Sequence, residues 1–200
     1  MLGLDFVKGA NKPPSIIHEA VRLRMAEPQD YPAWFRLREE SRAHLTRWEP
    51  DWSEKDASFE AFKLRLRSQE REARSGAALP LLLFREADNT LLGAVNLSDI
   101  RHQALCSATL GYWIGTPYLR RGYAFAGVSA VLGYAFDTLG LNRIEAACQP
   151  GNQASRNLLA KAGFREEGLA REFLFINGAW RDHLRLAITA RDGRRIAIQP

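Results

Sequence analysis

The chain has 200 residues and a net charge of +5, with arginine far outnumbering lysine. Its length suits one domain whose core needs no disulfide or metal staples, and 46% hydrophobic with 26% charged residues are the proportions of a globular protein in water rather than of a disordered chain. The basic balance suits anions such as nucleotide cofactors or RNA-rich particles, and equally suits a proteome rich in arginine, so charge alone names no partner.

Residues 1–17, with Gly3, Gly9, Pro13 and Pro14, show no period and read as a flexible N-terminal arm. The alternation Val21-Arg-Leu-Arg-Met25 predicts a strand with Val21, Leu23 and Met25 on one face. Pro28-Gln-Asp30 opens a helix with Trp34, Phe35, Leu37 and Leu45 as its apolar stripe, and Pro50 breaks it within Trp48-Glu49-Pro50-Asp51-Trp52. A second, mostly solvated helix starts near Ser53 or Asp56, with Phe59, Phe62, Leu64 and Leu66 as apolar positions, and stops at Ser75-Gly76. Strands follow at Leu79–Arg85, Leu91–Leu97 and Ala108–Ile114, joined as an antiparallel meander.

The break Gly115-Thr116-Pro117 leads through Arg120-Arg121-Gly122 into a long helix, Tyr123 to Leu139, that stops at Gly140. A basic turn before a helix N-terminus can hold an anion, because the first-turn N–H groups lack intrahelical partners and the helix dipole adds partial positive charge. Then come a strand Arg143–Gln149, a helix Asn152–Ala162 capped by Asn152 and stopped by Gly163, and two strands, Glu166–Ile176 and Ala179–Thr189, joined by the hairpin turn Asn177-Gly178. Residues 191–200 read as a polar, frayed tail. The order predicts one mixed, mostly antiparallel sheet of about seven strands flanked by about four helices, an α/β (α+β) domain over 18–190.

His18, His44, His102 and His183 are scattered, and Cys106 and Cys148 are far apart, so no metal is expected. Two free thiols, no apolar run of membrane-spanning length (Ala77–Phe84 is far too short) and no signal-peptide core point to a cytoplasmic protein with no membrane contact. A Walker loop, a Gly-x-Ser-x-Gly elbow and a Rossmann fingerprint are all absent.

Three pieces occur in order: Leu119-Arg-Arg-Gly-Tyr-Ala124, Arg143 through Asn152 to Ser155, and Leu158-Leu-Ala-Lys-Ala-Gly163-Phe164. Together they resemble the Gcn5-related N-acetyltransferase (GNAT) superfamily. Trp48-Glu49-Pro50, Leu110-Gly-Tyr-Trp-Ile114 and Asn177-Gly-Ala-Trp-Arg-Asp-His183 resemble its RimJ/RimL group, which acetylates N-terminal amines of ribosomal proteins. The likeness runs from Val21 to about Ala190. It implies the GNAT fold, with two central parallel strands that splay to admit the pantetheine arm of acetyl-CoA. It also implies a cofactor site at Tyr112, Trp113, Ile114, Arg120, Arg121, Gly122, Tyr123, Ala124, Asn152 and Ser155.

Leu119 departs from the family's usual Gln or Arg, which leaves the backbone cradle intact. Ala147 and Leu159 stand where many relatives carry a catalytic Glu and Tyr. The resemblance makes Ser155 the partner of the departing thiolate, while Glu145, Glu172 and Glu49 are the carboxylates near the motifs. Each also has a plainer reading: Ser155 as a helix-capping residue, Glu145 as a sheet-surface ion pair, Glu172 and Glu49 as structural or exposed. The implied activity is direct, acetyl-CoA-dependent acetylation of a primary amine without an acyl-enzyme. The acceptor is the N-terminal alanine of a ribosomal or other protein, with possible ribosome association as monomer or homodimer. Alternatives are acetylation of a small amine such as a polyamine or aminoglycoside, and a non-catalytic acetyl-CoA-binding module.

Overall fold

The computed structural model describes residues 14–196. Most of the expected arm and the last four residues of the expected tail lie outside them. Strands β1 (Ile16–His18), β2 (Val21–Arg24), β3 (Leu79–Arg85), β4 (Leu91–Arg101), β5 (Ser107–Ile114), β6 (Arg143–Cys148), β7 (Arg165–Ile176) and β8 (Ala179–Thr189) form one sheet in the order β1-β2-β3-β4-β5-β6-β8-β7. Every neighbouring pair is antiparallel except β5 and β6. The sheet therefore has one strand more than expected, because Ile16–His18 hydrogen-bonds β2 instead of belonging to a loose arm. Among the described residues six α-helices accompany the sheet: α1 (Tyr31–Glu40), α2 (Arg42–Leu45), α3 (Phe59–Arg74), α4 (Tyr123–Gly133), α5 (Gln153–Lys161) and α6 (Ala190–Ile196). The last corrects the reading of residues 191–196 as frayed: Asp192 Oδ2 accepts from the Thr189 hydroxyl and draws the chain into a turn at the end of β8.

β3 shows why a short apolar run can be a strand. Leu81 and Leu83 join a core with α4, where Val128 and Val131 are fully sealed, and with Leu159 of α5. The alternate residues, Leu82 and Phe84, face the other way, into a second core with Trp34, Leu37 and Phe62 of α1 and α3. A strand covered on both faces has no polar side to alternate. Burying each such side chain is worth roughly 1.5–3 kcal/mol. On α3 the apolar positions divide: Phe62 is buried while Leu64 is exposed and Phe59 partly so. That helix begins later than expected, with the Ser58 hydroxyl accepting from the Ala61 N–H at 3.2 Å.

α4 continues into a π turn over Tyr134–Thr138 before the chain reverses at Gly140. α5 starts where the Asn152 side chain accepts from the Ser155 N–H at 3.1 Å, and it ends with the Phe164 N–H bonding back to the Leu159 carbonyl around Gly163. The expected break after Ile114 is a close approach: a Cβ on Gly115 would lie 2.3 Å from Leu37 Cδ1. Beside it, the Thr116 N–H donates to the Ser41 hydroxyl at 2.9 Å, with Ser41 fully buried at the α1–α2 junction. Among the described residues no helix is long and apolar enough to cross a membrane.

Candidate active site

β5 and β6 are paired only from Ser107–Thr109 against Arg143–Glu145. Beyond that point β5 stays with β4 as far as Ile114, opposite Gly93, and β6 stays with β8 as far as Cys148, opposite Leu184. Each strand is held by its other neighbour, so a gap opens between them at the C-terminal ends of this parallel pair. The expected splay is therefore present, and the β6-facing backbone edge of Leu110–Ile114 has no ladder partner. Such an edge can present an N–H to a carbonyl oxygen lying in the gap.

Side chains alternate across β5, so its two faces differ. Tyr112 packs against the core on the α4 and α5 side. Its hydroxyl lies 2.8 Å from the Ser155 hydroxyl, in the first turn of α5. Burial pushes the Tyr112 phenol up to about 12, partly offset by the Ser155 hydrogen bond, so it stays protonated and able to donate at neutral pH. Cys148, at the end of β6, is buried in the same neighbourhood, and burial raises its thiol. A buried, protonated thiol is a poor nucleophile.

The turn between β5 and α4 supplies the anion-binding geometry. Arg120 and Gly122 both adopt positive φ, +58° and +82°. Gly122 is the N-cap of α4, and no side chain caps this helix. A Cβ at Gly122 would meet nothing, so its glycine answers to backbone conformation and not to crowding. The N–H groups of Tyr123 and Ala124 open the helix, while Arg120 and Arg121 are exposed. This cradle and the gap lie at opposite ends of one short connection, which fits a ligand with a phosphate end and a reactive end.

The predicted residues therefore fall into groups. Tyr112 and Ser155 meet directly, and Asn152 holds the Ser155 amide. Ser155 is thus capped rather than capping, which leaves its hydroxyl for Tyr112. Glu145 lies in the still-paired segment, and its two oxygens are taken by Arg143 at 2.9 Å and Arg185 at 3.0 Å. Arg143 also pairs with Glu167 and lowers that carboxyl. Glu172 sits exposed on the outermost strand, at φ +47° in the β7 bulge, with its N–H donating to Asp182 Oδ1 at 2.8 Å. Neither Glu145 nor Glu172 shares a contact with Tyr112 or Ser155.

On the other face of β5, Trp113 belongs to the α1–α3 side. The Arg38 guanidinium lies 3.9 Å from the Trp52 ring centroid and 5.1 Å from that of Trp113. Its Nη1 is 2.7 Å from Glu49 Oε1. The approach is close but misaligned, because neither Glu49 Oε1 nor Arg38 Nε makes a well-directed hydrogen bond. Burial outweighs the pairing and raises the Glu49 carboxyl. Arg65, with its guanidinium 4.7 Å from the Trp34 ring, faces the same cluster, and burial shifts this cation the opposite way, downward.

The loop carrying Glu49 is clasped by the β7–β8 hairpin. Asn177 donates to the carbonyls of Thr46 at 2.6 Å and Glu49 at 3.4 Å, and accepts from the Asp51 N–H at 2.8 Å. Sequence reasoning missed Arg38. It lies among Arg36, Glu39 and Glu40 on a charged helix, and nothing in that run marks it out.

A family model described as an acetyltransferase (GNAT) domain matches residues 20–165. The chain is 33% identical over 177 residues to an Escherichia coli (strain K12) protein named [ribosomal protein uS5]-alanine N-acetyltransferase, covering 88% of this chain and 87% of that one. The solved structure of Mycobacterium smegmatis RimJ in complex with CoA-disulfide matches with a TM-score of 0.84 and 34% identity, covering 92% of each chain. That of the Vibrio fischeri ribosomal-protein-S5-alanine acetyltransferase matches with a TM-score of 0.82 and 28% identity, covering 90% of this chain and 98% of that one.

Proposed function

The chain belongs to the GNAT acetyltransferase family and is an N-acetyltransferase; from that premise we propose that it moves the acetyl group of acetyl-CoA directly to the N-terminal alanine of a protein, with ribosomal proteins as the acceptor class. The observation that carries the transfer chemistry is the Tyr112–Ser155 hydroxyl pair, 2.8 Å apart, beside the gap between β5 and β6.

In this reading the first-turn amides of α4, with Arg120 and Arg121 beside them, take the pyrophosphate. Asn152 and the start of α5 flank the pantetheine arm. Bound acetyl-CoA supplies an activated thioester. The unpaired edge of Tyr112–Ile114 orients its carbonyl, and an N–H there stabilises the oxyanion. The Ser155 hydroxyl, backed by the protonated Tyr112, donates to the departing sulfur. A raised phenol suits this role, since it holds its proton until a strong base develops next to it.

The acceptor assignment rests on the likeness to the uS5-alanine enzyme over 88% of this chain and on the electrostatics of the acceptor side. Two guanidiniums, Arg38 and Arg65, face Glu49, with Glu39 and Asp56 acting on those arginines, so carboxylates are not in surplus there. A polyamine carries several positive charges and needs a surplus of carboxylates, so this balance disfavours it. One ammonium on an otherwise neutral or acidic peptide suits it better.

The experiment is acetyl transfer from labelled acetyl-CoA to a panel of peptides beginning with Ala, Ser or Met, together with spermidine and an aminoglycoside. The highest kcat/KM is expected for an Ala-initiated peptide. A preference for spermidine or the aminoglycoside overturns the acceptor assignment, and transfer to no amine overturns the reading as a whole.

A further inference from the structure

The reaction needs a group to take the proton from the acceptor amine, and the two strand carboxylates singled out as candidates, Glu145 and Glu172, are badly disposed for it. Both oxygens of Glu145 are occupied by arginines. Glu172 is exposed on the edge strand, two strands beyond β6. Glu39 is no better: Arg42 engages both its oxygens, and the Trp52 indole N–H donates to Oε1 at 2.9 Å.

The alternation along β5 supplies a direction. The hydroxyls suited to the leaving sulfur lie on the α5 face of the strand, with Tyr112. An amine must reach the thioester carbon from elsewhere, and the opposite face is the one Trp113 turns toward α1. Glu49 stands there, one guanidinium removed from Trp113. Its loop is anchored on two sides, by Asn177 of the hairpin and by a long contact from Gln149 Nε2 to the Arg47 carbonyl at 3.5 Å, just past the end of β6. Oε1 is sealed and lacks a well-directed hydrogen bond, while the side chain as a whole keeps 32% exposure. The carboxylate is thus partly withdrawn from water and still reachable, as a proton acceptor for an incoming substrate must be.

We propose that Glu49 is the catalytic base, taking the proton from the acceptor's N-terminal ammonium on the Trp113 face of β5. The inference rests on the acetyl-transfer reading above. Glu49 accepts one proton as the ammonium becomes the amine. The nitrogen lone pair then forms the C–N bond to the acetyl carbon, the C–S bond breaks, and the electron pair leaves on sulfur. The Ser155 hydroxyl protonates that sulfur, and the second nitrogen proton replaces the one Ser155 has given, through water. The products are the acetylated N-terminus, CoA thiol and one proton released when Glu49 re-ionises.

The groups facing Glu49 set its basicity in opposing directions. Burial favours the neutral acid, and Arg38 and Arg65 favour the carboxylate. Glu39 and Asp56, farther out, act on the two arginines rather than on Glu49. Burial prevails, so Glu49 is a stronger base than a solvated glutamate.

The test is E49Q with an Ala-initiated peptide. The expected result is a loss of about 10²–10³-fold in kcat, with acetyl-CoA affinity within about twofold of the parent chain. In the parent, the acid limb of kcat follows the protonation of Glu49. In the Gln variant kcat instead falls below roughly pH 8, where the peptide's own amine charges. E49D keeps the charge facing Arg38 and serves as the second probe, with an expected loss of about tenfold and an acid limb like the parent's. Parent-like kcat and pH profile in E49Q overturn the proposal. So does a loss in E49Q with no movement of the acid limb, which marks Glu49 as structural. If E49Q fails to fold, a parent-like rate in E49D with its carboxylate drawn back one methylene overturns it. A parent chain inactive on every amine sinks the acetyl-transfer reading instead.

Discussion

The two faces of β5 were built by different means, and the contrast shows what each must do. On the Tyr112 face, contacts are local and directed: a 2.8 Å hydroxyl pair, an Asn152 cap three residues from the amide it holds, and a glycine at positive φ opening a helix. On the Trp113 face, contacts come from distant stretches: Arg38, Glu49, Trp52 and Arg65 meet through rings and charges with loose hydrogen-bond geometry. A donor of fixed structure can be met by rigid backbone. An acceptor whose chain varies beyond its first residue is met better by a loop that is clasped but not embedded. Each half can be perturbed separately, and the separation is what the following substitutions test.

The largest effect is expected on the donor face. Ser155→Ala removes the partner of the Tyr112 hydroxyl and should lower kcat about 100-fold, roughly 2.7 kcal/mol. Acetyl-CoA affinity should change less than about threefold in a binding titration. A similar loss in affinity would show that Ser155 holds the donor rather than serving the leaving sulfur.

Gly115→Ala strikes the junction of the two faces. Its Cβ would meet Leu37 at 2.3 Å, and Leu37 is only 5% exposed, so little room exists to yield. Overpacking of this kind costs about 1–3 kcal/mol. The melting temperature should fall by about 5 °C, and both acetyl-CoA affinity and peptide KM should worsen. Damage to one alone would mean that α1 moves independently of the phosphate-binding turn.

Asn177→Gly keeps the left-handed turn, since Asn177 has φ +48°, and deletes only the clasp on the Thr46–Asp51 loop. A loss of about 1 kcal/mol should appear as a roughly fivefold rise in peptide KM, with acetyl-CoA binding unchanged. A change in donor binding instead would erase the distinction between the faces.

The smallest effect belongs to the ion-pair group on β6 and β7. Arg143 holds the Glu167 carboxyl below its ordinary range. A lowered folded-state value means that the stabilisation is present above the unfolded glutamate's titration range and is lost as pH falls through the folded value. Because Glu167 is 46% exposed, the gain is a few tenths of a kcal/mol at most. Denaturant titrations of Glu167→Gln at pH 7 and pH 3 should differ from the parent only at pH 7, with kcat unchanged at either. A large drop in kcat would bring this group, and Glu145 with it, back into the chemistry.

Local signals made most of the frame legible. β3 falls where a short apolar run puts it, β6 and β8 fall where alternation and turn residues put them, and Asn152, Gly163 and Asn177-Gly178 mark their turns by chemistry that acts within a few residues. The meander, the later strand–helix alternation and the order of the donor motifs are likewise properties of the chain read in one direction. β1 was missed because a three-residue strand has too short a pattern, and it exists only by pairing with β2. α3 began late because Ser53, Asp56 and Ser58 can all cap a helix, and position alone does not choose among them.

The proposed donor side, then, rests on features that follow from sequence, because backbone amides, caps and glycine conformations are set by near neighbours. The acceptor side does not. Glu49 was visible in the Trp48–Pro50 turn, but its meaning depends on Arg38 from one helix, Arg65 from another and Trp113 from a central strand. Which charges meet, and how much water they lose in meeting, is decided only when those elements pack. Even Glu145, which shares a strand face with Ala147, has its second oxygen occupied only through tertiary structure, because Arg185 comes from the neighbouring strand to meet it.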